Sequence, residues 1–505
     1  MVRCGYGYLK PRAASPRRVP KVSKDWHRKP GDKVIRRPRS KDSHLRRALG
    51  IPGLFAAGYG DVGSSIYYAL GLVAVAAMGA TPIVLAIAGL FFIFHTLTYA
   101  EGTAMYPEAG GSASFARHSF NDMAGFLAGW GLMFSYIITA AISSYAIPSY
   151  LGHFWAPLKG SPPIATSVAM CIVVFLMFVN VVGVRESSFV NVFLAVMDIL
   201  TQVALITFGF LLVFDVQLLK EHIFHYWPGT GNLMFGVAIA AIAFTGVETM
   251  SQMAEETREP EVRTPKALIL MIVVVLVLFA GISIIALSAM TPQELSSQWA
   301  TDPVAGIAAN LPRDWLQAFF RPMVGILAAT ILLVATNAGL MGISRVSFSM
   351  GTHRQLPAAL SRVHPRFKTP YVTIILFALI ILVLQVPGFF YSDMFSRLGG
   401  LYAFGSMMAF AMAHLSIIVL RIRKPEVPRP FRLRPNFSFK GKAIPVTAVL
   451  GLAFSVIVWL VVISSQTYAR YVGFAWIILG LVIYILYRRR SKLPLLKSAT
   501  DADQI

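Results

Sequence analysis

The chain has 505 residues, of which 56% are apolar and only 13% charged, and its mean hydropathy is +0.65. So few charges cannot solvate a globule of this length, and the apolar runs reach the ~20 residues that cross a bilayer, so a soluble fold is excluded. The net charge of +22 is concentrated at one end, where Met1–Gly50 carries 16 Lys or Arg against three Asp.

That basic segment is Pro-rich and poor in large apolar residues, which predicts a disordered cytoplasmic tail over residues 1–50. It is expected to act as a topology signal or to rest on anionic lipid; an over-long start and a nucleic-acid arm are the other readings its charge allows, and no specific nucleic acid is expected as a partner. An apolar leader core is absent from it, so no signal peptide is expected. The two cysteines, Cys4 and Cys171, cannot form a disulfide framework or a Cys-based metal site.

Hydropathy then predicts about twelve spans. Their cores run Ile51–Ala76, Pro82–Met105, Met123–Tyr150, Ile164–Val184, Phe189–Val213, Leu233–Met253, Ala267–Met290, Phe319–Arg345, Pro370–Val386, Met394–Leu420, Ile444–Ile463 and Val472–Tyr487. An even number puts both termini on one side, and loop charges place that side in the cytoplasm. Alternate loops carry Arg117; Arg185; Arg258, Arg263 and Lys266; five Lys or Arg between Arg345 and Lys368; and the strongly basic "RIRKPEVPRPFRLRPNFSFKGK". "RRRSK" follows the last span, while "GATP", "HFWAPLKGSPP", "VPGFFYSD" and "SSQTYAR" are poor in basic residues. This is the positive-inside pattern.

Helix breakers recur at matching places. The first span contains "GYGDVGSSI" (Gly58–Ile66) and the sixth "AFTGVETMS" (Ala243–Ser251), each joining glycine and hydroxyls to one carboxylate. Interrupted helices in corresponding positions of two halves point to a transporter built from inverted repeats, because unwound backbone must face a cavity rather than lipid. Glycines that merely let helices pack closely are the alternative. In span three, Tyr136, Thr139 and Ser143 share one helical face, as Thr245 and Glu248 do in span six. They could offer oxygen ligands or simply bond neighbouring helices. Asp198 interrupts span five, where a carboxylate must be paired or neutral. His95 and His414 read as packing residues. A phosphate loop, a metal-ligand spacing and a nucleophile–base pair are all missing, so neither an enzyme nor a cofactor is expected.

From about Ile51 to Tyr487 the chain resembles the amino acid–polyamine–organocation (APC) superfamily of permeases. The resemblance rests on "YPEAGGSASFAR", "NVVGVRESSFVN" and "FTGVETMSQMAEETREPEVRTPKAL". It implies an all-α polytopic membrane protein of the LeuT fold. Spans one to five (51–230) and six to ten (231–420) would form inverted repeats. A basic loop (421–443), two trailing spans (444–487) and a cytoplasmic C-tail (488–505) would complete it.

Two branches of that superfamily compete. In the amino acid permeases the first break reads Gly-Ser/Thr-Gly, and its amides hold the substrate carboxylate; here Gly63, Ser64 and Ser65 stand there, with Gly246 at the second break. "YGDVGSSIYYAL" also resembles KUP/HAK and KimA-type potassium importers, whose ion ligands would fall on Asp61, Tyr68, Tyr136, Thr139, Ser143, Thr245, Glu248 and Tyr402. Ser135 departs from that pattern, replacing a second aspartate. Asp198 departs from the permeases, many of which carry a lysine at this possible coupling-ion position. The residues imply a secondary transporter of amino acids or polyamines in the cell membrane, working by alternating access and coupled to protons through Glu248 and Asp61, or exchanging. A proton-coupled potassium importer and a non-transporting amino acid sensor are the alternatives. A homodimer is allowed for.

Overall fold

The computed structural model describes residues 49–183, 188–367, 369–391 and 393–496. The basic tail up to residue 48, Arg185 with its neighbours, Lys368 and residues 497–505 lie outside the described residues.

In hydrocarbon every backbone N–H and C=O must be bonded within its own segment, and helices meet that need. Among the described residues eleven stretches are long and apolar enough to cross a membrane. The first, Ile51–Met105, has 55 residues. As one helix it would measure about 80 Å, against roughly 30 Å of hydrocarbon, so it must cross twice. The chain turns at Met78 (φ +47°) and a 3-10 turn, Met78–Ala80. Twelve spans result, as the hydropathy predicts.

Span 1 is Ile51–Val62, Gly63–Ser65 and Ile66–Ala77; span 2 is Thr81–Met105; span 3 is Asp122–Leu151. Spans 4 and 5 are Pro162–Val182 and Ser188–Leu212. Span 6 is split into Thr230–Ile242 and Val247–Gln252, and span 7 is Pro260–Ala289. Spans 8 to 12 are Asp314–Thr352, Tyr371–Gln385, Met394–Arg423, Val446–Ser465 and Thr467–Arg490. Prolines open spans 2, 4 and 7, where a missing N–H costs nothing.

Span 3 is almost wholly buried, and its most extensive neighbour is span 8. Small residues permit that approach: a Cβ on Gly342 would sit 2.7 Å from the Tyr136 ring, and one on Gly339 would sit 2.9 Å from the Tyr136 carbonyl. Spans 4 and 5 present most of their surface outward, whereas spans 3, 6 and 10 and the Ile51–Met105 stretch are mostly buried.

The protein is an all-α polytopic bundle with one local exception. The basic loop after span 10 contains an antiparallel hairpin, Asn436–Phe439 paired with Lys442–Pro445. Its composition, basic and rich in proline, hides the strand signal. Short helices that hydropathy does not register also cover the ends of the spans: Ser112–Ser119, Val216–His225, Pro292–Ser296 and Pro303–Ala309.

Candidate functional site

The two helix breaks differ in kind. Residues Gly63–Ser65 tighten into a 3-10 turn while the backbone stays in the right-handed helical region, so span 1 is pinched rather than unwound. The Gly63 N–H donates to the Tyr59 carbonyl and is therefore not open to a ligand. Its lack of a side chain serves packing, since a Cβ there would sit 2.6 Å from the Tyr59 ring. Ser64 Oγ donates to the Asp61 carbonyl at 2.8 Å, and Ser65 Oγ reaches the same oxygen at 3.4 Å. Both serine hydroxyls thus bond back to their own helix.

Span 6 does break. The helix is interrupted after Ile242 and restarts at Gly246, φ +118°, a conformation L side chains rarely adopt. The Gly246 N–H donates to Glu248 Oε2 at 3.0 Å, so the acid expected to carry a proton also closes the break. A Cβ on Gly246 would lie 2.8 Å from the Val62 nitrogen and 2.9 Å from Asp61 Cγ. The second break is therefore seated directly on the carboxylate of the first.

Asp61 and Glu248 are 2% and 1% exposed. Thr249 Oγ1 donates to Asp61 Oδ2 at 2.5 Å, and the Tyr136 hydroxyl lies 3.3 Å from that Thr249 oxygen. The other carboxylate oxygen, Oδ1, is buried without a hydrogen-bond partner. Among the described residues neither acid is ion-paired with a Lys, Arg or His. A buried carboxylate in that position is suited to accept a cation, an ammonium group or a proton.

The remaining predicted residues divide. Tyr68 shares a 3.0 Å hydrogen bond with Ser65, and Thr245 donates to the Tyr402 hydroxyl at 2.5 Å, linking spans 6 and 10. The three hydroxyls of the span 3 stripe have different surroundings. Tyr136 reaches Thr249, Thr139 turns back to the Ser135 carbonyl at 3.0 Å, and Ser143 Oγ is buried without a partner. Asp198 is held by a separate group of donors: Tyr59 at 2.7 Å, Tyr67 at 2.5 Å and Gln202 at 2.8 Å. Those bonds tie span 5 to span 1 and occupy both oxygens of Asp198. His95 and His414 bond each other at 3.0 Å inside the bundle, as packing residues would.

Sequence reasoning missed Thr249, Tyr59, Tyr67 and Gln202. For Thr249 a signal existed, because it follows Glu248 directly inside the flagged motif; the tyrosines read simply as apolar bulk.

A cleft leads to this cluster. Thr249 and Gly342 line it with Ala57, Gln252, Asn191 and Arg345, enclosing about 380 Å³ that includes open solvent. At its outer end Arg345 pairs with Glu256 at 2.8 Å.

A family model described as amino acid permease matches residues 49–487. The chain is 28% identical over 477 residues to a branched-chain amino acid permease of Bacillus subtilis (strain 168), covering 90% of this chain and 96% of that protein. It is 26% identical over 472 residues to a methylthioribose transporter of the same strain, with the same coverage of 90% and 96%. With the Asc-type amino acid transporter 1 of Mus musculus it shares 25% over 398 residues, 77% of this chain and 71% of that one.

Proposed function

The chain belongs to the amino acid permease family, and on that premise we propose that it is a secondary transporter of amino acids working by alternating access in the cell membrane, with both termini cytoplasmic. The observation that carries this reading is the buried, cation-free Asp61 Oδ1 beside the break at Gly246. The ammonium of a zwitterionic substrate would meet Asp61 Oδ1. Its carboxylate would compete with Glu248 for the Gly246 amide. A protonated Glu248 is a weaker acceptor and releases that amide, so proton binding favours substrate binding, which is the sign required for symport. Alternating access would close spans 1 and 6 around this site. The relatives' names support an amino acid over a polyamine: one is a branched-chain amino acid permease and another an Asc-type amino acid transporter.

The test is uptake into proteoliposomes under an imposed inward proton gradient, with radiolabelled leucine, alanine, putrescine and rubidium offered in turn. Neutral amino acid uptake that rises with the gradient is expected, and Glu248→Gln should remove the gradient dependence. Rubidium uptake without amino acid uptake would overturn the proposal in favour of a potassium importer.

A further inference from the structure

The loop between spans 10 and 11 does more than connect them. Arg421–Lys442 holds eight Lys or Arg and one Glu, yet it is built as a rigid unit rather than a solvated tether. Its turn, Lys440–Gly441, has positive φ at both residues (+49° and +74°), as a two-residue hairpin turn requires. The unit is pinned to span 2 from below. Arg421 grips Glu101 through two bonds of 2.7 and 2.6 Å, and the Leu433 N–H donates to the same carboxylate at 2.8 Å. Arg429 staples the loop's own carbonyls at Leu420, Lys424 and Val427.

Two features remain without an internal purpose. First, Arg421 and Arg429 share the single Glu101 carboxylate, while Arg432, Arg434 and Lys440 are exposed with no acidic partner among the described residues. Second, Phe437 and Phe439 are 43% and 51% exposed on the same face of one strand. The ends of two membrane spans flank this hairpin, which puts rings and cations near headgroup depth. Aromatic rings favour that layer, and each Lys or Arg near an anionic surface multiplies the affinity about fivefold.

We infer that this hairpin docks on the anionic headgroups of the adjacent leaflet, with Phe437 and Phe439 in the interface and Arg432, Arg434 and Lys440 on lipid phosphates. A soluble acidic partner would match the charges but leave the two rings in water. The inference does not depend on the substrate.

Full-length protein in phosphatidylcholine nanodiscs, with and without phosphatidylglycerol, provides the test, read as the thermal unfolding midpoint. The wild type should gain stability with phosphatidylglycerol and lose that gain in high salt. The variant Phe437→Ser/Phe439→Ser/Arg434→Gln/Lys440→Gln should lose more than half of the gain. Its midpoint in pure phosphatidylcholine should match that of the wild type, and the milder Arg434→Gln/Lys440→Gln pair should fall between them. An unchanged gain in both variants would overturn the inference, because other cations, the N-terminal tail included, would then carry it. So would the absence of any gain in the wild type, or an equal gain from soluble polyglutamate.

Discussion

Gly246→Ala probes the contact on which the site depends. At φ +118° an alanine is strained by about 1–3 kcal/mol, and its Cβ would meet the Val62 nitrogen at 2.8 Å and Asp61 Cγ at 2.9 Å. Relieving such overpacking in a close-packed interior costs about 1–3 kcal/mol more. The Val62 nitrogen is backbone and cannot swing aside, so the break in span 6 must move away from span 1. The combined effect, roughly 2–6 kcal/mol, corresponds to a fall of at least about 30-fold in kcat/KM for uptake. Gly229→Ala is the control: it opens the same span, has φ −63° and meets no atom within 4 Å. Both variants would be assayed for amino acid uptake in proteoliposomes and for their thermal unfolding midpoint in detergent. Gly229→Ala should behave as wild type. A Gly246→Ala protein that transports at the wild-type rate would refute the reasoning, since the two breaks would then not need to touch.

Thr249→Val removes the hydrogen bond to Asp61 Oδ2. Bonds to charged groups are worth about 1.5–3 kcal/mol, so KM should rise about 10–150-fold, with Thr249→Ser restoring it; uptake kinetics check both. Asp198→Asn weakens the bonds from Tyr59, Tyr67 and Gln202, so it should lower the unfolding midpoint while leaving the proton dependence of uptake unchanged. Glu101→Gln strands the buried Arg421, 3% exposed; breaking such a pair costs about 3–5 kcal/mol, visible as a lower unfolding midpoint and a smaller folded yield. Glu108 gives a pH signature. Burial pushes its carboxyl upward, but His118, Arg117 and Ser114 outweigh that and hold it well below the usual carboxylate range. A lowered folded value means the unfolded chain binds the proton more tightly. The stabilisation is therefore present above about pH 4–5 and is lost as pH falls through the folded value. Wild-type midpoints should drop on acidification, and Glu108→Gln should flatten that part of the curve.

The sequence alone determined the number of spans, because hydrocarbon tolerates no unbonded backbone and so ties hydropathy to helices. It also marked the interior positions that matter. A carboxylate at Asp61 or Glu248 is costly in apolar surroundings, and a glycine beside it announces unusual backbone. Sequence could not tell a pinch at Gly63 from a true break at Gly246, since glycine permits both conformations; neighbours such as the Tyr59 ring selected one. Nor could it show that Thr249, 188 positions away, is the donor to Asp61, or that Asp198 is enclosed by two tyrosines of span 1. Helical periodicity says which residues share a face. Which distant face meets them, and which lone pair is left open at Asp61 Oδ1, is settled only when the spans pack.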